Sequence, residues 1–151
     1  MEQTKAVGFQ ISELSRMIKR SLDEQINKLP NEEVTAVQGW IIGYIYRKGQ
    51  EKDVFQRDIE KAFHIRRSTV AETLRLMENK GLIIRESVEH DARLKKLVLT
   101  PKALQIQTQI ATKIQEVEQK LISGLSKGEL MLFLEIVDKM KSNLDHMGEV
   151  E

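Results

Sequence analysis

Between Phe55 and Thr100 the apolar residues change their period, and that change narrows the possible folds more than any other feature. Ile59 and Ala62 recur at helical spacing over about Gln56–Phe63, which predicts a short helix burying both. His64-Ile65 makes a tight turn. Ile65, Val70, Leu74 and Met77 then keep helical spacing in a second helix that opens Arg66-Arg67-Ser68-Thr69 and stops at Lys80-Gly81-Leu82. Beyond it, Ile83-Ile84-Arg85-Glu86 and Leu97-Val98-Leu99 read as two short strands. Ser87–Lys96 between them is polar, with five charged residues and His90, and reads as an exposed loop.

Helix, tight turn, helix and hairpin in this order make a winged helix-turn-helix: scaffold helix, recognition helix, β-hairpin wing. The expected fold class is mainly α with a small antiparallel β-hairpin (α+β), the module occupying residues 34–100. Residues 1–33 and 101–151 supply helices at both ends. Over residues 9–29, Phe9, Ile11, Leu14, Ile18, Leu22, Ile26 and Leu29 form a narrow helical stripe that Pro30-Asn31 ends. Thr35 is the expected N-cap of a helix carrying Val37, Trp40, Ile41, Tyr44 and Ile45. Gly49 is available there for a left-handed cap. Thr100 and Pro101 read as the cap and first turn of a long helix. Ser126 with Glu129 reads as a capping box for a last helix bearing Leu130, Phe133, Leu134, Val137, Met140 and Leu144. Such stripes need a partner, within one chain or between two, because a long amphipathic helix has little reason to stand alone in water.

Composition removes several functions. Hydrophobic residues at 40% suffice for a core. The chain has no apolar run of about 18 residues to cross a membrane, and Met1–Leu14 lacks the apolar stretch of a signal peptide. Zero cysteines exclude disulfides, thiolate metal sites and cysteine redox sensing. These absences point to the cytoplasm. His64, His90 and His146 lack metal-ligand spacing, so neither a metal nor another cofactor is expected. No phosphate-binding glycine loop, nucleophile elbow or HExxH is present, and an enzyme has no positive support. Net charge is +1, but Arg47–Thr100 holds 13 Lys/Arg against 9 Asp/Glu, so the basic excess lies in the suspected DNA module.

Within that module, Arg66 and Arg67 suit guanine edges or phosphates. Ser68 and Thr69 are short donors at a helix N-terminus, where the dipole favours anions. Ala71, Glu72 and Arg75 lie off the apolar face of the same helix. Glu72 repels phosphate but can accept from a cytosine amino group. In the wing, Arg93 suits a narrow minor groove, with Asp91 fixing it through an ion pair and Lys95 and Lys96 near phosphates. The bland alternative is a solvated helix start and a charged surface loop.

At this point the chain resembles the MarR family of bacterial transcriptional regulators. Val34-Thr35-x-x-Gln38-x-Trp40 is similar to the family's entry into its second helix, and Ile65–Val70 to its turn and recognition-helix start. Leu76–Ile83 resembles its exit into the wing. Asp91-Ala92-Arg93 with Leu97-Val98-Leu99-Thr100 resembles its Asp-x-Arg wing and following helix start. Three positions depart from the family's habit: Arg66 stands where a small cap is frequent, Glu72 where a basic or polar residue is, and Lys102-Ala103 where a glycine is. The resemblance implies a single domain, 1–151, in which the end helices join two chains. It implies repression from a pseudo-palindromic operator, relieved by a small anionic aromatic effector. Arg16, Met17, Trp40, Tyr44 and Tyr46 are its candidate lining, against the alternative that Trp40 and Tyr44 are core and Arg16 is solvated.

The sequence therefore reads as a homodimeric regulator that binds double-stranded DNA and no membrane. The competing reading is a winged-helix protein–protein interaction module that does not read DNA, for which Glu72 and the near-neutral charge speak.

Overall fold

The computed structural model describes residues 6–30 and 34–148. Asn31 of the expected helix stop lies outside them. The chain forms α1 (Val7–Asn27), α2 (Ala36–Gly49), α3 (Gln56–Phe63), α4 (Arg67–Asn79), β1 (Ile83–Val88), β2 (Asp91–Leu99), α5 (Pro101–Leu121) and α6 (Lys127–Asp145), then a short 3-10 turn at His146–Gly148. The fold class is the expected one, mainly α with a two-stranded antiparallel hairpin. No described helix is long and apolar enough to cross a membrane. Two compact units are distinguished, Met1–Val117 and Glu118–Glu151.

Local chemistry explains the helix starts in the first unit. The Thr35 hydroxyl accepts from the Gln38 amide at 3.3 Å while the Gln38 side chain accepts from the Thr35 amide at 3.3 Å, a reciprocal cap. Asp58 caps α3 by accepting from the Phe55 amide at 2.8 Å. The Thr100 hydroxyl accepts from the Ala103 amide at 3.3 Å and donates to the Gly81 carbonyl at 2.6 Å, which ties the start of α5 to the end of α4. Gly81 has φ 71°, the left-handed turn that ends α4 cheaply. His64 takes φ 52° between α3 and α4, the sharp turn of the helix-turn-helix.

Three local expectations change. Gly49 is not a left-handed cap: it closes α2 itself, and the chain leaves through Gln50 in right-handed geometry, with the Glu51 and Lys52 amides donating to the Lys48 carbonyl. Ala62 is exposed, because α3 turns the i,i+4 pair Ile59 and Phe63 inward instead. The strands are also longer than their apolar cores. β1 runs to Val88 and β2 begins at Asp91, so the expected ten-residue loop shrinks to a turn at Glu89-His90, with a register shift between Ser87 and Val88. Charged side chains stand clear of an exposed hairpin while their backbone still pairs, so polarity alone marked these residues as loop.

The core draws on every element of this unit. Ile26 and Leu29, Ile41, Ile42 and Ile45, Ile59, Val70, Leu74 and Met77, Ile83, Leu97, Ile106 and Ile110 form one buried cluster. Each fully buried side chain of this size contributes about 1.5–3 kcal/mol. Residues before 34 and after 100 thus complete the core of the winged module. Gly39 permits the closest approach: a Cβ there would lie 2.8 Å from Ile26 Cγ2 and 3.3 Å from Ile110 Cδ1.

The second unit is built differently. Gly124, at φ 83°, turns the chain after α5. Ser126 and Glu129 then form the expected reciprocal cap, with Ser126 accepting from the Glu129 amide at 3.1 Å and Glu129 from the Ser126 amide at 2.7 Å. α6 has no buried residue.

Candidate nucleic-acid interface

Helix α4 is anchored by Val70, Leu74 and Met77, which fixes its outer face in space. Arg66 is the N-cap and makes no side-chain cap hydrogen bond, so both Arg66 and Arg67 project from the helix start. Arg67, Ser68 and Thr69 are exposed, and Ala71 is half-buried. The start of α4 leaves four backbone N–H groups without intrahelical partners, so the helix-dipole end and two guanidinium groups share one place.

Glu72 and Arg75 pair with each other. Arg75 Nε donates to Glu72 Oε2 at 2.9 Å and Arg75 Nη2 to Glu72 Oε1 at 2.6 Å, a two-pronged bond across one helical turn. The hydrogen bond from Arg75 holds the Glu72 carboxyl below its ordinary pKa, and the same bond raises that of Arg75. The carboxylate that seemed hostile to phosphate is therefore neutralised locally by its neighbour.

In the wing, the expected ion pair between Asp91 and Arg93 is absent among the described residues. Asp91 instead accepts from the Arg93 backbone amide at 2.9 Å, a local turn that shapes the strand start and leaves the guanidinium free. Lys95 donates to the Ser87 hydroxyl across the hairpin at 2.6 Å. Lys96 lies 3.6 Å from Asp53 and 3.8 Å from Glu86, so it ties β2 to its surroundings more than it offers charge to a phosphate.

An open cavity of about 410 Å³ lies between α3, the start of α4 and the hairpin. Arg67 and Arg93, both expected from sequence, line it. So do Arg57 and Arg85, which sequence reasoning missed. Arg57 is held over the Phe55 ring, 5.2 Å from its centroid, and Arg85 pairs with Glu78 on α4 at 3.2 Å. The basic excess of the module was the available signal. Only the folded chain shows that the first turn of α3 and the face of β1 join it.

Of the five candidate effector residues, Tyr46 lines a cavity whose lining does not include the other four. Trp40 Nε1 donates to Asp23 on α1 at 2.6 Å, and Lys19 donates to the same carboxylate at 2.7 Å. Burial opposes ionisation of Asp23, but these two hydrogen bonds outweigh it and hold its pKa below the usual value. Tyr44 packs edge-on against Phe63, ring centroids 5.9 Å apart. Arg16 and Met17 are exposed on α1. Tyr46 follows Tyr44 by about 200° around α2. It lines a separate cavity of about 300 Å³ with Val54, Leu97 and Leu104. No group of three or more His, Asp or Glu residues fit to hold a metal occurs among the described residues.

A family model described as the MarR family matches residues 33–94. Among solved structures, the chain is 31% identical to the transcription regulator MarR from Oenococcus oeni PSU-1, covering 91% of this chain and 99% of that one, with a TM-score of 0.63. It is 29% identical to MepR, a transcription regulator of the Staphylococcus aureus multidrug efflux pump MepA, over 92% of this chain and 98% of that one, with a TM-score of 0.76. The S. aureus MepR–DNA complex also matches, at 29% identity over 95% of this chain and 99% of that one, with a TM-score of 0.70.

Proposed function

The chain belongs to the MarR family, and from that premise we propose that it is a homodimeric, sequence-specific DNA-binding repressor acting in the cytoplasm. The observation that carries this reading is the shared placement of Arg67, at the start of α4, and Arg93, in the wing, on one basic cavity. A helix of this kind enters a major groove while the wing follows the neighbouring minor groove. That the S. aureus relative has been crystallised with DNA supports the same partner here.

In this reading Arg66, Ser68, Thr69, Ala71, Glu72 and Arg75 face the major groove, Arg67 lies at its flank toward the backbone, and Asp91, Arg93, Lys95 and Lys96 serve the wing. Residues 1–33 and 101–151 supply the dimer helices around the winged module at 34–100. A two-fold dimer calls for a pseudo-palindromic operator with half-sites about 10–10.5 base pairs apart. Backbone contacts give most of the affinity, and a few base contacts choose the site. The Glu72–Arg75 pair acts as one unit toward the bases. Glu72→Ala should relax preference at one base position by about tenfold. Uniform tightening on every duplex would instead make Glu72 a mere repeller of the backbone.

Relief of repression by an anionic aromatic belongs to the same proposal. Its site is the seam of α1 and α2 near Arg16, Met17, Trp40 and Tyr44, with Tyr46 outside it. Trp40 is the sole tryptophan, so its fluorescence should respond to such a compound, and an unchanged spectrum would remove the effector from the account. The test of the function as a whole is selection of bound duplexes from a random pool. A recovered pseudo-palindrome supports it; a pool that stays random removes sequence specificity.

A further inference from the structure

We infer that the cavity between α3, α4 and the hairpin is a cradle for the single backbone strand that separates the two grooves, and that Arg57 is one of its phosphate-binding residues. This rests on the DNA-binding reading and deepens it. Adjacent major and minor grooves of a duplex are divided by one sugar–phosphate strand. A protein that puts α4 into one groove and the wing into the other must meet that strand with whatever lies between them. What lies between them here is the cavity lined by Arg57, Arg67, Arg85, Arg93 and Lys95, with Glu60 as the only acidic residue among its described lining.

The arginines are arranged for a bound anion. Arg67 and Arg93 make no side-chain hydrogen bond or ion pair among the described residues, so both guanidinium groups keep their donors for phosphate oxygens. Arg57 lies over the Phe55 ring, 5.2 Å from its centroid, a cation–π contact that needs no carboxylate to hold it. A guanidinium held by a ring and not by a carboxylate has no anion to give up before it meets a phosphate. Phe55 in turn is buried and fixed by the cap that its amide makes with Asp58. Arg85 is oriented by Glu78, and it can exchange that partner for a phosphate. The cradle thus joins the scaffold helix α3 to the DNA contact, a role that neither the recognition helix nor the wing motif assigns to it.

The test is the salt dependence of duplex binding by the full-length wild-type protein, Arg57→Gln and Arg57→Lys. Loss of one phosphate contact should weaken operator and random duplex by the same factor and reduce the slope of log K against log salt by about 0.9. The wild-type advantage over Arg57→Gln should then be about 3.5-fold larger at 50 mM than at 200 mM salt. Arg57→Lys, which keeps the charge, should recover most of the slope. An unchanged slope in Arg57→Gln, with wild type still binding, overturns the cradle and leaves the regulator reading intact. A wild type that binds no duplex at all overturns both.

Discussion

Helices α4 and α6 carry apolar residues at the same helical spacing but put them to opposite use. In α4, Val70, Leu74 and Met77 are sealed into the core. In α6, Phe133, Leu134 and Leu144 of the stripe are 53%, 61% and 68% exposed, while Leu130, Val137 and Met140 are no more than half-buried. An apolar stripe specifies that a helix has a sticky face. What covers that face is a separate matter, decided by neighbours the pattern does not name. α4 is covered by its own chain, which holds its outer face in place; α6, with α1, is covered by a second copy in the proposed dimer.

The largest effect that sharpens this contrast comes from the sealed side. Leu74→Ala should cost about 2–5 kcal/mol in denaturant unfolding, because a fully buried side chain leaves a cavity. A loss well under 1 kcal/mol would mean that α4 is less rigidly held than its burial indicates. On the other side, Leu14→Asp combined with Val137→Asp should halve the mass seen by sedimentation, from about twice 17.4 kDa to that of one chain. Each charge would lose hydration in an apolar interface. A wild-type monomer at micromolar concentration would break the comparison outright.

How much was legible in the sequence divides along the same line. The caps at Thr35, Thr100 and Ser126, the stop at Gly81 and the α4 core face follow from short-range chemistry, and each stands where it was expected. The exposed hairpin is not legible as strand because Asp91, Lys95 and Lys96 pair by backbone, while only their side chains register as polarity. The Glu72–Arg75 bond is consistent with i,i+3 spacing, but spacing alone does not decide between that bond and a base contact. Arg57 and Arg85 were invisible for a different reason: their nearness to Arg67 and Arg93 is a product of tertiary folding.

Smaller effects test the inner packing. Gly39→Ala should destabilise by about 1–3 kcal/mol, since its methyl would press on Ile26 and Ile110. An unchanged midpoint would show that α1 and α5 can move apart at no cost. Asp23 gives a dependence on acid. Its pKa is depressed on folding, so its stabilisation is present above the unfolded carboxylate value of 3.8 and is lost as pH falls through the lower folded value. Asp23→Asn should therefore lower Tm at pH 7 and converge on wild type in strong acid. A gap that persists there would make the contact with Trp40 a matter of shape alone. The smallest change is expected at Arg93→Ala: stability within about 0.5 kcal/mol of wild type, with weakened DNA binding.

The division of labour between the two regions is tested most directly by sedimentation of the protein with its selected duplex at 50 and 200 mM salt. The account predicts two chains per duplex and an affinity that falls by about 10³–10⁵ between those salt concentrations, as expected for 6–10 phosphate contacts. A duplex that sediments free at 50 mM salt, or with a single chain bound, would contradict it.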